Sequence, residues 1–199
     1  MKIKIQTIFF LIALLSLFSC EKDNSNSTIT NNNVAYNNLD YKITKGIFID
    51  YGASCYYGTT NTHFNYDFFI TDGDFISDSN KNLMDVKGNI VVYAYLESFG
   101  KDKFKEGTYT YIDSSNDNDL NDTQLRSKYE NKSFVMDAYV IIGENISQSL
   151  SAHKPILVKS GTITLAGIQP NFTITYDLIL LNNKTVKGSY KGQFTELAD

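Results

Sequence analysis

The sequence predicts an all-β protein, and three observations support this fold class. Tyrosine occurs 14 times and phenylalanine 13 times, without tryptophan, and aromatic residues favour strands. Clusters of Asn, Asp, Gly and Ser separate the apolar runs and favour turns. From Asp40 onward these runs are short and regularly spaced. We therefore expect an antiparallel β-sandwich of about eight strands, with a closed β-barrel as the alternative.

The eight predicted strands occupy the last four fifths of the chain. They cover residues 41–52, 63–73, 89–98, 107–113, 133–143, 156–167, 171–182 and 185–197. The fragment "FGKDKFKEG" predicts a hairpin between the strands at 89–98 and 107–113. In the strand at 63–73 the apolar side chains alternate and share one face, namely Phe64, Tyr66, Phe68 and Ile70.

The last three strands read as a meander, with turns at Gln169-Pro170 and at 182–184. In its middle strand one face is apolar, formed by Phe172, Ile174, Tyr176 and Leu178. The opposite face carries Thr173, Thr175 and Asp177, as in a half-solvated antiparallel strand. One helix is predicted at 121–132, with Asp122 or Thr123 as its N-cap.

The charge of the chain argues against a nucleic-acid partner. The formal net charge is -4 at pH 7, and only two of the 18 basic residues, Lys2 and Lys4, lie among the first nineteen residues. No basic patch of the kind that binds phosphate backbones is present in the sequence. We therefore expect no nucleic-acid binding.

The first twenty residues have the three parts of a secretory signal peptide. Lys2 and Lys4 form a basic start, residues 8–15 form an apolar run, and Ser16 and Ser19 are small residues near its end. The apolar run is short for a permanent membrane-spanning helix. We expect residues 1–19 to be removed as a signal peptide.

The junction Leu17-Phe18-Ser19-Cys20 resembles the lipobox of bacterial lipoproteins. The resemblance implies that Cys20 receives a diacylglyceryl thioether, becomes the first residue after cleavage and is acylated, for example with palmitate, on its new amine. Each buried methylene contributes about 0.8 kcal/mol, and stable anchoring needs more than one chain. Cys20 would therefore attach the protein to a membrane. The alternatives are a plain signal peptide with an incidental cysteine, or a signal anchor.

The residues after Cys20 predict a cellular location and a flexible spacer. The fragment "CEKDNSNS" resembles the export signal of Bacteroidota surface lipoproteins, which implies attachment to the bacterial outer membrane with the protein facing outward; the periplasmic leaflet is the alternative. Residues 20–38 are rich in Asn, Ser and Thr and predict a lipidated flexible stalk. Residues 39–199 then form a single β domain.

The C-terminal meander carries a second resemblance. Its sequence "SGTITL", "FTITYDLIL" and "KTVKGSYKGQF" resembles the end of many small Bacteroidota lipoproteins with β-sandwich or lipocalin-like bodies. In that pattern Gly188, Tyr190 and Gly192 belong to the closing strand. The resemblance implies a fold and no function.

Cys55 is the only cysteine left once Cys20 is lipidated. As a nucleophile it would need a nearby base, and the two histidines are His63 and His153. His63 follows Cys55 closely enough for a hairpin to join them. The interpretation that we favour is a structural cysteine without a catalytic partner.

The polar segment "DSSNDNDLNDTQL" is a candidate calcium loop. Asp117, Asp119 and Asn121 match the start of the D-x-D-x-N pattern that wraps calcium in oxygen ligands. Asp122 occupies the position of the turn glycine, and Lys128 occupies that of the bidentate glutamate. Calcium through Asp117, Asp119 and Asn121 is therefore one hypothesis, and an acidic loop without metal is the other.

Tyrosines suggest a binding function. Candidates for stacking on sugars or anchoring a protein partner are Tyr56, Tyr57, Tyr93, Tyr95, Tyr109, Tyr111, Tyr139 and Tyr190; the alternative places them in the core. We expect a membrane-anchored binding or accessory module for a glycan, a protein or a small apolar ligand. The alternatives are a hydrolase with scattered carboxylates and a structural component of a surface assembly. A deep apolar cavity would favour a carrier, and an exposed tyrosine patch would favour glycan capture.

Overall fold

The computed structural model describes residues 32–143, 146 and 154–198, and these residues contain twelve strands and one α-helix. The all-β prediction is confirmed. The elements are β1 (Asn33–Tyr36), β2 (Leu39–Lys42), β3 (Lys45–Ser54), β4 (His63–Thr71), β5 (Asp74–Ser77), β6 (Leu83–Lys87), β7 (Ile90–Phe99), β8 (Gly107–Tyr111), α1 (Asp122–Tyr129), β9 (Phe134–Ile142), β10 (Ile156–Ile168), β11 (Asn171–Leu180) and β12 (Thr185–Leu197).

Ten of the strands form one mixed sheet, in the order β11-β10-β8-β9-β7-β4-β3-β12-β1-β2. Additional pairings join β11 to β12 and β10 to β9. Pairing that starts at β12 and runs through β3, β4, β7, β9, β10 and β11 therefore returns to β12. Two strand pairs of the sheet are parallel, namely β12 with β3 and β8 with β9. The strands β5 and β6 form a separate small sheet.

Each of the eight predicted strand regions contains a strand, and the first of them divides into β2 and β3. The strands β1, β5 and β6 were not predicted. Strand β1 lies inside the segment predicted as a stalk, where Val34 and Tyr36 are buried and Val34 pairs with Gly188. A Cβ on Gly188 would lie 2.0 Å from the Asn33 carbonyl oxygen, so this pairing requires glycine. The sheet begins at Asn33, before the expected boundary at residue 39.

The predicted hairpin between the strands at 89–98 and 107–113 is wrong. Strand β8 pairs instead with β9 and β10. The connecting segment carries Phe104 toward the core, where its ring lies parallel to the rings of Tyr66 (centroids 4.3 Å apart) and Tyr109 (5.6 Å). The segment therefore contributes a core side chain, which a tight hairpin turn would leave in solvent.

The main core lies on the inner face of the large sheet. The predicted C-terminal meander is confirmed, and the four alternating apolar residues of β11 are buried in this core. The alternating set in β4 behaves in the same way, with Phe68 and Ile70 fully buried. The inner face is therefore the one that hydrophobic alternation identifies.

Two smaller apolar clusters lie outside this main core. The first packs residues from β3, β4 and β7 against the β5–β6 sheet and includes Ile47, Phe69 and Val86. The second joins Tyr129 of α1 to Phe134 and Tyr57. A polar part of the outer face of β4, β7 and β9 lies between these two clusters.

The predicted helix is present as α1, and its N-cap is Asn121 instead of Asp122 or Thr123. The Asn121 side chain accepts a hydrogen bond from the Gln124 backbone nitrogen, and the Gln124 side chain accepts one from the Asn121 nitrogen. This is a capping box, which satisfies backbone donors that begin a helix. Within the described ranges no helix has the length and apolar character needed to cross a membrane.

Candidate functional site

A patch of carboxylates and tyrosines lies on the outer face of β3, β4, β7 and β9. Side chains alternate across a strand, so the positions between the buried residues of β4 and β7 face outward. We name this patch the acidic tyrosine face. Its members are Tyr51, Asn65, Asp67, Tyr93, Tyr95, Glu97, Asp137 and Tyr139.

Strand register aligns the carboxylates in a row. Asp67 of β4 pairs with Tyr95 of β7, and Tyr95 pairs with Asp137 of β9. Neighbouring strands lie about 4.8 Å apart, so the Cα atoms of Asp67 and Asp137 are separated by about 10 Å. In the next row Tyr93 pairs with Tyr139, and their rings stack with centroids 4.6 Å apart and planes inclined by 29°. Two acids therefore flank a tyrosine, beside a stacked pair of rings.

Glu97 lies at the base of the face and is fully buried. Its carboxylate accepts hydrogen bonds from Ser54 Oγ (2.7 Å), Tyr56 Oη (2.9 Å) and Asn65 Nδ2 (3.0 Å). Burial raises the pKa of Glu97, and these hydrogen bonds act in the opposite direction. Glu97 therefore organises the groups around it and is not itself exposed to a ligand.

Asp67 lies closer to solvent, with 7 % of its surface exposed. Tyr93 Oη donates a hydrogen bond to its carboxylate at 3.1 Å, and Tyr51 also hydrogen-bonds to it. Burial raises the pKa of Asp67 from 3.8 to about 7, with smaller contributions from the negative charges of Asp137 and Glu97. Asp67 is therefore largely protonated in mildly acidic solution.

The negative charge of the face has no cationic partner among the described residues. The ion pairs of this part of the chain use other acids, namely Asp74, Asp117, Asp122, Glu130 and Asp177. Neither Asp67, Asp137 nor Glu97 lies within 4.0 Å of a described lysine or arginine nitrogen. Buried carboxylates usually have a paired cation, so this arrangement favours a positively charged or hydrogen-bond-donating ligand.

Of the predicted lipidation site and catalytic candidates, the structure describes Cys55 and His63. Cys20 and His153 lie outside the described residues. Cys55 is exposed, and its Sγ contacts the Tyr57 carbonyl oxygen at 3.5 Å. His63 is buried with Nδ1 at 2.9 Å from Thr62 Oγ1 and Nε2 at 3.1 Å from the Lys132 carbonyl oxygen. The His63 ring nitrogens are thus occupied by groups other than Cys55.

The predicted calcium ligands contact other groups in the structure. The Asp117 carboxylate contacts Lys128 Nζ and Tyr129 Oη, and the Asn121 side chain caps α1. Asp119 is exposed in a short 3-10 turn. In residues 32–143, 146 and 154–198 there is no group of three or more His, Cys, Asp or Glu side chains placed to hold a metal ion. Calcium binding stays a prediction that depends on the sequence spacing.

The calcium hypothesis predicts that millimolar calcium raises the melting temperature, because an ion that binds only the folded state stabilises it. The measurement is thermal unfolding in calcium and in chelator, for the wild type and for Asp119→Asn. Equal melting temperatures in both solutions for the wild type would contradict the hypothesis.

The predicted tyrosines divide between the face and the core. Tyr93, Tyr95 and Tyr139 belong to the acidic tyrosine face, whereas Tyr109 and Tyr190 pack in the main core. The polar members of the face were not predicted from the sequence, namely Asn65, Asp67, Glu97 and Asp137. Their signal is the placement of polar residues inside apolar runs, as in "HFNYDFF", "AYLES" and "VMDAY".

Aromatic side chains fill the interior of the described fold. Fully buried rings include Phe48, Phe68, Phe194, Tyr109 and Tyr176. At one end of this core an open cleft of about 350 Å³ is lined by Tyr66, Phe104, Leu165 and Phe172 among others. The concavity is thus a cleft at the surface and not the deep apolar cavity that a carrier of apolar ligands would need.

The acidic tyrosine face combines aromatic surfaces with hydrogen-bond acceptors, which is the chemistry needed to bind ligands rich in N–H or O–H donors. Comparisons with protein-family models, with curated proteins and with solved structures gave no match.

Proposed function

We propose that this chain is a lipid-anchored binding module that captures a glycan on the acidic tyrosine face. The observation that carries the proposal is the row of Asp67, Tyr95 and Asp137 beside the stacked rings of Tyr93 and Tyr139. Sugar rings pack on aromatic side chains, and sugar hydroxyls donate hydrogen bonds to carboxylates. The register of three strands holds the carboxylates and the rings on one surface.

The rigidity of the face supports this role. Ser54, Tyr56 and Asn65 hold Glu97 beneath it, and the hydrogen bond from Tyr93 to Asp67 fixes a second carboxylate. Side chains that are held in place before binding lose little conformational entropy when a ligand arrives. Binding by a preorganised face of this kind does not require a deep pocket.

A glycan array tests the proposed ligand class. Tyr139→Ala should reduce the affinity for the bound glycan by about tenfold, because it removes one ring of the stacked pair. Tyr41→Ala, which changes a partly exposed tyrosine on β2, is the matched control and should bind normally. Circular dichroism should show that both variants fold. An array on which the wild type binds no glycan would contradict the proposal.

The anchor is a separate part of the proposal. Cys20 would carry the lipid, and the segment that follows it would hold the β domain away from the outer membrane, facing outward. Cys20→Ala should abolish lipid labelling and leave an unprocessed or soluble product, as membrane fractionation would show. Protease treatment of intact cells should cleave the wild type. Unchanged labelling of the variant would contradict the anchor, and protection of the wild type would indicate the periplasmic leaflet.

Hydrolysis of a glycan is a second candidate function, favoured by the placement of Asp67 and Asp137. Inverting glycosidases hold the carboxyl groups of an acid and a base about 6.5 to 9.5 Å apart. The Cα atoms of Asp67 and Asp137 lie about 10 Å apart on one face. Asp67, whose pKa is raised to about 7, would protonate the leaving oxygen, and Asp137 would activate water. Release of reducing ends that is lost in Asp67→Asn and in Asp137→Asn would establish this activity. Binding without release of reducing ends would leave the binding function alone.

A further inference from the structure

The acidic tyrosine face presents more hydrogen-bond acceptors than donors. Asn65 is 4 % exposed and donates its amide hydrogen to Glu97, so its side chain is directed at the acidic cluster. Its Oδ1 atom is buried and has no hydrogen-bond partner among the described residues. A buried acceptor without a partner is unfavourable by about 1–3 kcal/mol. This position is therefore suited to a donor supplied from outside the chain.

The charge of the face selects between kinds of donor. Asp67 and Asp137 have no ion-pair partner in the described part of the chain, and the stacked rings of Tyr93 and Tyr139 add electron-rich surfaces. Carboxylates and tyrosine faces both attract a cation, and they repel an anion. A neutral hydroxyl would satisfy the acceptors but would leave the negative charge uncompensated.

We infer that the ligand carries a protonated primary amine, as an amino sugar does, and that Asp67 and Asp137 bind this ammonium group beside Tyr95. The inference rests on the proposed glycan-binding function and specifies its ligand. A primary ammonium group combines a positive charge with three N–H donors. A quaternary ammonium group would have the charge but no donor for Asn65.

Two oligosaccharides of equal length test the inference. The hexamer of glucosamine carries protonated amines, whereas the hexamer of N-acetylglucosamine has the same backbone and no charge. The full-length chain in detergent should bind the glucosamine hexamer at least about tenfold more tightly by isothermal titration calorimetry. Added salt should weaken this preference, because it screens the attraction.

Variants locate the binding to the face. Asp137→Asn changes an exposed residue and should lower the affinity for the glucosamine hexamer about fivefold to tenfold. Asp40→Asn, which changes an exposed acid of β2 outside the face, is the control and should bind like the wild type. Equal losses in the two variants would mean attraction by the overall negative charge, and would overturn the inference.

The remaining outcomes distinguish failure of the ammonium inference from failure of the proposed glycan-binding function. Equal affinity for the two hexamers would overturn the ammonium inference and would leave glycan binding intact. The same conclusion follows if neither hexamer binds while a neutral glycan binds on the array. The absence of binding to any glycan would contradict the proposed function together with the inference.

Discussion

Replacing Asp67 with asparagine should stabilise the protein above neutral pH and should have little effect near pH 4. Burial raises the pKa of Asp67 from 3.8 to about 7. A carboxyl whose folded-state pKa is raised contributes stability that is present below the unfolded pKa and is lost as the pH rises through the folded pKa. The loss in the wild type therefore falls between about pH 4 and pH 7. Asparagine does not ionise, so the variant does not lose stability over this pH range.

The expected gain for Asp67→Asn reaches at most about 4 kcal/mol near pH 8, from the size of the pKa shift. Four groups surround Asp67: Tyr93 and Tyr51 donate hydrogen bonds, while Asp137 and Glu97 add negative charge. The substitution keeps the side-chain size and retains one acceptor for the two tyrosines. The gain should therefore grow with pH, from a small value near pH 4.

Urea unfolding of both chains at about pH 4 and pH 8 measures this effect. Asp177→Asn, which removes an exposed acid paired with Lys187, is the control and should change the free energy of unfolding by less than about 1 kcal/mol at either pH. A variant as unstable as the wild type at high pH would show that Asp67 is not strained by burial.

A buried acid with a strongly raised pKa is typical of functional sites, where such shifts cluster. A ligand with a positive charge near Asp67 would favour the ionised carboxylate. Glucosamine binding should then be coupled to deprotonation of Asp67, and the bound protein should lose less stability at high pH. The stability profile and the binding experiment thus examine the same carboxylate by independent routes.

The strands predicted from the sequence are those in which side-chain alternation is sustained. In β11 the alternation identifies both the strand and its buried face, and the structure confirms both. In β4 it identifies the strand and the face toward the main core, but the opposite face, with Asn65, Asp67 and Phe69, is buried as well. Strands β5 and β6 have four and five residues and lie among polar residues. Val86 is buried, and Phe75 and Leu83 are partly buried, in a cluster with Phe69 and Val91 of other strands. Such strands depend on tertiary contacts, which a local pattern does not contain.

The connection between β7 and β8 shows a second limit of local patterns. Two apolar strands separated by a polar segment usually form a hairpin, yet β8 pairs with β9 and β10. Packing of Phe104 explains the absence of a hairpin, because its ring stacks on Tyr66 and Tyr109 and holds the connecting segment against the core. Tyr66 is distant in sequence, so this stabilisation has no local signal.

The candidate site was only partly predictable for the same reason. Asp67 and Asp137 lie far apart in sequence, and they form one row because both pair with Tyr95. The strand order in the sheet decides this placement, and the sequence does not give the order. Conversely, Cys55 and His63 are close in sequence, but the His63 ring packs between Tyr56 and Phe134 and away from a catalytic arrangement.

Truncation of Glu97 to alanine should destabilise the protein by about 3 kcal/mol, since it leaves buried donors without an acceptor. Ser54, Tyr56 and Asn65 all donate to this carboxylate. Loss of the side chain also leaves a cavity in a fully buried position. Removal of a charge whose pKa is raised by burial offsets part of the loss, which limits the effect to this range.

Glu97→Gln separates the hydrogen bonds from the charge. Glutamine keeps the volume and one acceptor oxygen, so we expect a smaller loss of stability than for alanine. Glu130→Ala, which removes an exposed acid paired with Arg126 on α1, should change the free energy of unfolding by less than about 1 kcal/mol. Because Glu97 holds Asn65 in position, Glu97→Gln should also weaken binding of the glucosamine hexamer, whereas Glu130→Ala should leave it unchanged. If Glu97→Ala were as stable as Glu130→Ala in urea, the buried network would not support the face.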